Sequence, residues 1–175
     1  MVINLYNHID WLFCDGMYKE MGPRKNSNNG KIYTNLNTIL SQSPKYNLTD
    51  KDYKFLSYAE KVSRKSDNSR HMVGCIIVES GDILSYGFNT SKTHPFQAKW
   101  NSRSPHLHAE MMALIDALKK DFNPKRSVIY VSRYGRNGLL GCSYPCIHCW
   151  NALEYVGLTN IVCYDENSNP VKIML

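Results

Sequence analysis

Residues 71–89, HMVGCIIVESGDILSYGFN, decide the fold class of this chain. The run from Val73 to Val78 is apolar, rich in β-branched residues and too short for a core helix. Ser80-Gly81-Asp82 supplies a turn, and Ile83 to Asn89 follows as a second strand. Two such strands across so short a turn pair as a hairpin. The hairpin's neighbours on both sides read as helices. Upstream, Thr49 or Asp50 caps a helix that runs to about Ser66, with Phe55, Leu56, Ala59 and Val62 on one face and Lys54, Lys61, Arg64 and Lys65 on the other. Downstream, a loop over 89–106 leads into LHAEMMALIDALKK (107–120), where Met111, Leu114, Ile115 and Leu118 share an inward face. SVIYVSR (127–133) reads as a third strand and RYGRNGLLGCSY (133–144) as a glycine-bearing loop. CIHCWNALEYVG (146–157) is a helix closed by Gly157, and NIVCYD and PVKIML are further strands. A hairpin followed by helix-linked strands predicts an α/β fold: a mixed central sheet of about five strands, covered by helices in three layers.

The chain has 175 residues, enough for one ordinary domain, and 43% of them are hydrophobic, enough for a packed core. Residues 49–175 form the expected domain. Residues 1–48 are an N-terminal extension whose Leu5, Tyr6, Ile9, Trp11, Leu12, Phe13 and Met17 are too apolar for a solvated tail. The expectation is that the extension folds onto the domain or onto a second copy, in a homo-oligomer. No apolar run approaches the roughly 18 residues of a membrane span. MVINLYNHIDWLF lacks a basic start and a small-residue cleavage site, so a cytoplasmic protein without a membrane partner is expected. Of six cysteines, Cys142, Cys146 and Cys149 crowd together at metal-ligand spacing, whereas Cys75 and Cys163 sit in apolar runs as small buried hydrophobes. A net charge of +6, from 21 basic and 15 acidic residues, favours an anionic partner such as a phosphate or a polynucleotide.

Two segments carry chemistry: His108-Ala109-Glu110 at the start of one helix and Pro145-Cys146-Ile147-His148-Cys149 at the start of the next. Zinc takes thiolate and imidazole ligands tetrahedrally, and a catalytic site leaves one position open. Cysteines three apart on a first helical turn point the same way, and the helix N-terminus favours their thiolates. His108 completes three protein ligands. Glu110, two residues on, is placed to move protons rather than to bind the ion. C-x-x-C alone also suits a redox pair or half of a structural zinc site. The first leaves His-Ala-Glu unexplained. The second needs a fourth ligand, from His106, Cys142 or His148, and has no use for Glu110.

At these residues the chain resembles the zinc-dependent deaminases that act on cytidine, deoxycytidylate, free cytosine, tRNA adenosine and polynucleotide cytosine, whose signature is H-x-E with P-C-x-x-C. The resemblance runs from about Thr49 to the C-terminus and includes the stretch MVGCIIVESGDILSYGFN (72–89), which looks like the hairpin preceding the H-A-E helix in deoxycytidylate-type members. It implies a cytidine deaminase-like fold, a Zn2+ cofactor on His108, Cys146 and Cys149, and Glu110 as the catalytic proton carrier. The reaction it implies is hydrolytic deamination of a cytosine-type nucleoside or nucleotide with release of ammonia. Asn89 stands where similar deaminases place an asparagine against the sugar or base. With Ala109, His106, Arg103, Arg133 and Tyr144 it makes the expected substrate-binding set, and Arg136 is a further cation for a phosphate. The run Ser143-Tyr144-Pro145-Cys146 is closer to the serine-containing versions in polynucleotide and some virus-borne members, so single-stranded DNA, RNA or tRNA is the alternative substrate. A non-catalytic zinc module that binds nucleotides is a third reading, against which the intact Glu110 argues.

Overall fold

The computed structural model describes residue 40, residues 45–135 and residues 137–174. Six strands lie in one sheet among the described residues. They are β1 (Lys45–Tyr46), β2 (His71–Glu79), β3 (Asp82–Phe88), β4 (Ser127–Gly135), β5 (Asn160–Tyr164) and β6 (Pro170–Met174), in the order β1-β6-β5-β4-β2-β3. The predicted hairpin is β2 with β3. β2 also pairs antiparallel with β4 over its whole length, from His71 opposite Gly135 to Glu79 opposite Ser127. Among the described strands only β4 and β5 pair in parallel, and a crossover helix joins them.

Among the described residues, α1 (Asp50–Ser63), α2 (Pro95–Trp100), α3 (Ala109–Leu118) and α4 (Ile147–Val156) cover this sheet. Alternation along the strands decides which residue meets which helix. Ile76, Val78, Tyr130 and Val162 meet Phe55, Leu56 and Ala59 of α1 on one face. Cys75, Ile77, Ile129, Val131 and Cys163 meet Phe96, Met111, Leu114, Trp150 and Leu153 on the other. The expected three layers are therefore present, and Cys75 and Cys163 are buried. The layers approach closely at two glycines. A methyl on Gly74 would run into the Ala59 carbonyl and the Ser63 amide, and one on Gly87 into the Ala109 carbonyl and the Ala113 amide. Gly157 ends α4 at φ +85°, as the sequence predicted.

Three elements differ from the sequence expectation. The 89–106 loop contains α2, which starts at Pro95 after His94, whose ring Nδ1 accepts the Phe96 amide at 3.1 Å. β4 runs on to Gly135, two residues past the expected strand, so Tyr134 and Gly135 are strand residues rather than loop residues. Lys45–Tyr46, read within the extension, add a short strand opposite Ile173 and Lys172. The rest of that extension, residues 1–39 and 41–44, lies outside the described residues, and so does Arg136.

A buried carboxylate ties three of these elements together. Asp52 closes a capping box with Thr49, accepts the Tyr130 hydroxyl at 2.8 Å and faces the Lys172 ammonium at 3.4 Å. Burial works to raise its pKa, but these donors outweigh burial and hold it below the ordinary value. The stability Asp52 contributes is thus present at neutral pH and is lost as pH falls through its lowered pKa. Asp52→Ala should lower thermal stability at pH 7 by about 1–3 kcal/mol, with a smaller difference from the parent in strong acid. An equal difference at both pH values would refute that role.

Candidate metal centre and active site

β3 and β4 both run antiparallel to β2, so their C-terminal ends lie at one edge of the sheet. The chain leaves β3 for α3 and β4 for α4, and the first turns of both helices therefore converge at that edge. His108 is the N-cap residue of α3, and Cys146 is the N-cap residue of α4. Neither makes a side-chain cap, so both side chains are available to the site.

His108 Nδ1 lies 3.5 Å from Cys146 Sγ and 3.4 Å from Cys149 Sγ, and the two sulfurs are 3.6 Å apart. A tetrahedral zinc with bonds of about 2.3 Å to sulfur and about 2.0 Å to nitrogen puts its ligand atoms about 3.8 Å (S–S) and about 3.5 Å (S–N) apart. The observed triangle matches this to a few tenths of an ångström. Among the described residues no other histidine, cysteine or carboxylate joins the group. His106, Cys142 and His148, the alternatives for a fourth ligand, are outside it.

The electrostatics fit the same donor set. The two sulfurs share a proton. Cys146 gives its own up readily, because the Cys149 thiol and the His108 ring both stabilise its thiolate and bring its pKa to about 4. Cys149, bonded to that thiolate and fully buried, is pushed up. Glu110 is 6% exposed, and burial pushes its carboxyl up to about 7; the Cys146 thiolate adds to that rise and His108 opposes it. A carboxyl near neutrality can both accept and release a proton.

Two residues the sequence reading passed over hold His108. Buried Gln97, on α2, accepts the His108 backbone N–H through Oε1 at 3.1 Å. Ser104 Oγ lies 3.3 Å from His108 Nε2, and its hydroxyl donates to the His106 carbonyl at 2.8 Å. With that hydrogen committed, the serine oxygen can only accept from the ring. Nε2 then carries the ring proton, and the lone pair of Nδ1 faces the two sulfurs. Ser143, singled out in the sequence for its resemblance alone, donates to the Val131 carbonyl and accepts the Tyr164 amide, both at 2.8 Å, and so fixes the approach to Pro145 and Cys146. Isolated Ser and Gln residues leave no pattern along a sequence, so neither Gln97 nor Ser104 was legible there.

A cavity of about 310 Å³ opens over the triad, with Glu110 in its wall. Asn89, His106, Ala109, Arg133 and Tyr144 of the expected substrate set line it. Arg103 is exposed and is not among its walls. Asn89 is largely engaged by its own chain: Oδ1 accepts the Val73 amide and the Ser66 hydroxyl, both at 2.7 Å, and Nδ2 donates to the His71 carbonyl at 2.8 Å. One Nδ2 hydrogen remains for a ligand. Burial pushes the Tyr144 hydroxyl up to about 12, keeping it a neutral donor.

Residues 49–165 match the family model described as the cytidine and deoxycytidylate deaminase zinc-binding region. The deoxycytidylate deaminase of Saccharomyces cerevisiae is 26% identical over 125 residues, which are 63% of this chain and 36% of that protein. This chain thus spans about a third of the length of that relative. Among solved structures, dCMP deaminase from the cyanophage S-TIM5 in apo form shares 23% identity at a TM-score of 0.51, over 67% of this chain and 86% of that one. Cytidine deaminase from Burkholderia pseudomallei shares 18% identity at a TM-score of 0.53, over 73% and 93%. These two likenesses establish a common fold. With more than half its length matched by that zinc-binding region, the chain belongs to the cytidine and deoxycytidylate deaminase family.

Proposed function

We propose that this chain hydrolytically deaminates a cytosine-type nucleoside or nucleotide, with zinc held by His108, Cys146 and Cys149. The observation that carries the reading is a protonatable carboxyl, Glu110, in the wall of one cavity with His108 and Cys146 of that three-atom donor set. Membership of the deaminase family supports it, and so does the dCMP and dUMP complex described for the cyanophage enzyme, 22% identical. Zinc, when bound, supplies the Lewis acidity that makes water nucleophilic near neutral pH.

The chain's own residues do the rest. Glu110 takes a proton from the attacking water as the new C–O bond forms at the carbon bearing the amino group. It returns the proton to the departing nitrogen as the C–N bond breaks, and ammonia leaves. Tyr144 and the remaining Nδ2 hydrogen of Asn89 donate to the base or sugar. Arg133 meets a phosphate where the substrate carries one.

Ammonia release is the test. Zinc-loaded protein is offered cytidine, deoxycytidine, their 5′-monophosphates and the matching adenine compounds. Cytosine compounds should release ammonia and adenine compounds should not; release from adenine compounds alone would reject the base assignment. Ser104 provides a second check. Ser104→Ala should weaken zinc binding by about ten- to a hundredfold, measured by chelator competition, and Ser104→Thr should restore it. Unchanged affinity in Ser104→Ala would dismiss the tautomer argument.

A further inference from the structure

Two connections meet beside the cavity over the triad. Residues 64–70 lead from α1 into β2, and residues 89–94 lead from β3 into α2. Each places an amide side chain in the cavity wall, Asn68 from the first and Asn89 from the second. Loops of this kind are held in place by bonds between them rather than by a ladder.

Two side chains of the first connection reach across to the second. Ser66 donates its hydroxyl to Asn89 Oδ1 at 2.7 Å. Asp67, which immediately precedes Asn68, takes three donors from the two residues that follow Asn89. They are the Thr90 hydroxyl at 2.9 Å, the Ser91 amide at 2.9 Å and the Ser91 hydroxyl at 2.8 Å. The Ser91 and Thr90 hydroxyls hold the Asp67 carboxyl below its ordinary value, so it is ionised at neutral pH and can accept from all three. Asp67 is itself exposed. It fills no space in the core, and these bonds all cross from one connection to the other.

The residue it grips is anchored on its far side. Buried Thr90 pairs with Leu107: its amide donates to the Leu107 carbonyl at 3.0 Å, and its carbonyl accepts the Leu107 amide at 3.1 Å. Thr90 therefore gives Asp67 a fixed point to hold the first connection against.

We propose that Asp67 is a positioning residue for the substrate: by stapling the two connections together it sets Asn68 and Asn89 as one wall of the cavity. This rests on the deaminase reading above. The metal side does not depend on the staple, because His108 has its own supports in Gln97 and Ser104 and the cysteines stand at the start of α4.

The experiment compares zinc-loaded parent, Asp67→Ala, Asp67→Asn, Ser91→Ala and the double variant Asp67→Ala/Ser91→Ala. The readouts are kcat and KM on the cytosine compound that the parent turns over best, and zinc affinity by chelator competition. Both substituted side chains are exposed, so the fold should survive. Asp67→Ala should raise KM about three- to tenfold, lower kcat much less and bind zinc as the parent does. Asp67→Asn keeps one accepting oxygen and should recover part of the KM. The double variant should be no worse than Asp67→Ala alone, since both changes open the same staple. An unchanged KM in Asp67→Ala overturns the proposal. So does a common worsening of KM, kcat and zinc affinity, which marks a merely structural role, and so do effects that multiply in the double variant. If the parent releases no ammonia from any compound, the deaminase reading fails, and calorimetric titration with cytidine monophosphate decides the staple. Weaker binding by Asp67→Ala then supports it, and equal or absent binding overturns it.

Discussion

Glu110→Gln should bind about one zinc per chain, unfold at or above the parent's temperature, and turn over at least about 10²- to 10⁴-fold more slowly. The three outcomes have separate causes. Zinc stays because the donor atoms belong to His108, Cys146 and Cys149. Stability stays because burial raises the Glu110 pKa, which means the folded protein disfavours its ionised form. An acid whose folded pKa is raised contributes less to stability as pH climbs through that range, so a neutral glutamine of the same shape removes a liability. Turnover is lost because an amide cannot carry a proton. Parent-like ammonia release from this variant would end the assignment of Glu110.

Cys149→Ala should lose the metal and, with it, the metal's contribution to stability. Cys149 is fully buried, and its sulfur is one corner of the donor triangle. Two corners make a far weaker site than three. For the parent, free zinc at a thousandfold excess over its Kd adds about 4 kcal/mol to the stability of the folded state. That corresponds to about 8–16 °C in Tm for a chain of this size. The variant should show no comparable shift at the same zinc concentration, hold well under one zinc per chain after dialysis, and release no ammonia. Cys142→Ala, which alters a cysteine outside the triangle, should keep its zinc. A zinc-dependent Tm shift of full size in Cys149→Ala would refute the ligand set.

The parts of this molecule that were legible in the sequence are those with local causes. The β2–β3 hairpin announces itself by an apolar run, a turn and a second run. α3 and α4 announce themselves by period, and Gly157 by its position. The metal residues were legible because ligand chemistry restricts both residue type and spacing. What escaped has non-local causes. Two residues make β1, and only their pairing with Ile173 and Lys172 defines it. α2 has six residues, too few to show a period, and is capped by a histidine, which is not a usual cap. Tyr134 and Gly135 were read as loop because of the glycines there, yet the ladder with β2 carries the strand on to Gly135. Asn89 was read for its resemblance, and most of its hydrogen bonds go to the strand and loop beside it.

The convergence of two helix N-termini at one sheet edge divides labour between two kinds of scaffold. The donor set and Glu110 stand on the first turns of α3 and α4, which are packed against the sheet. Much of the surrounding wall stands on connections: Asn68 between α1 and β2, Asn89 and His106 between β3 and α3, and Cys142 and Tyr144 between β4 and α4. Connections accept substitution and changes of length that packed helices do not. Selection can therefore revise what the pocket admits by editing those three loops while the chemical apparatus stays put. For an engineer the same division makes loop grafts from other family members a practical route to a new specificity, provided that Gln97, Ser104 and Ser143 travel with the frame and not with the graft.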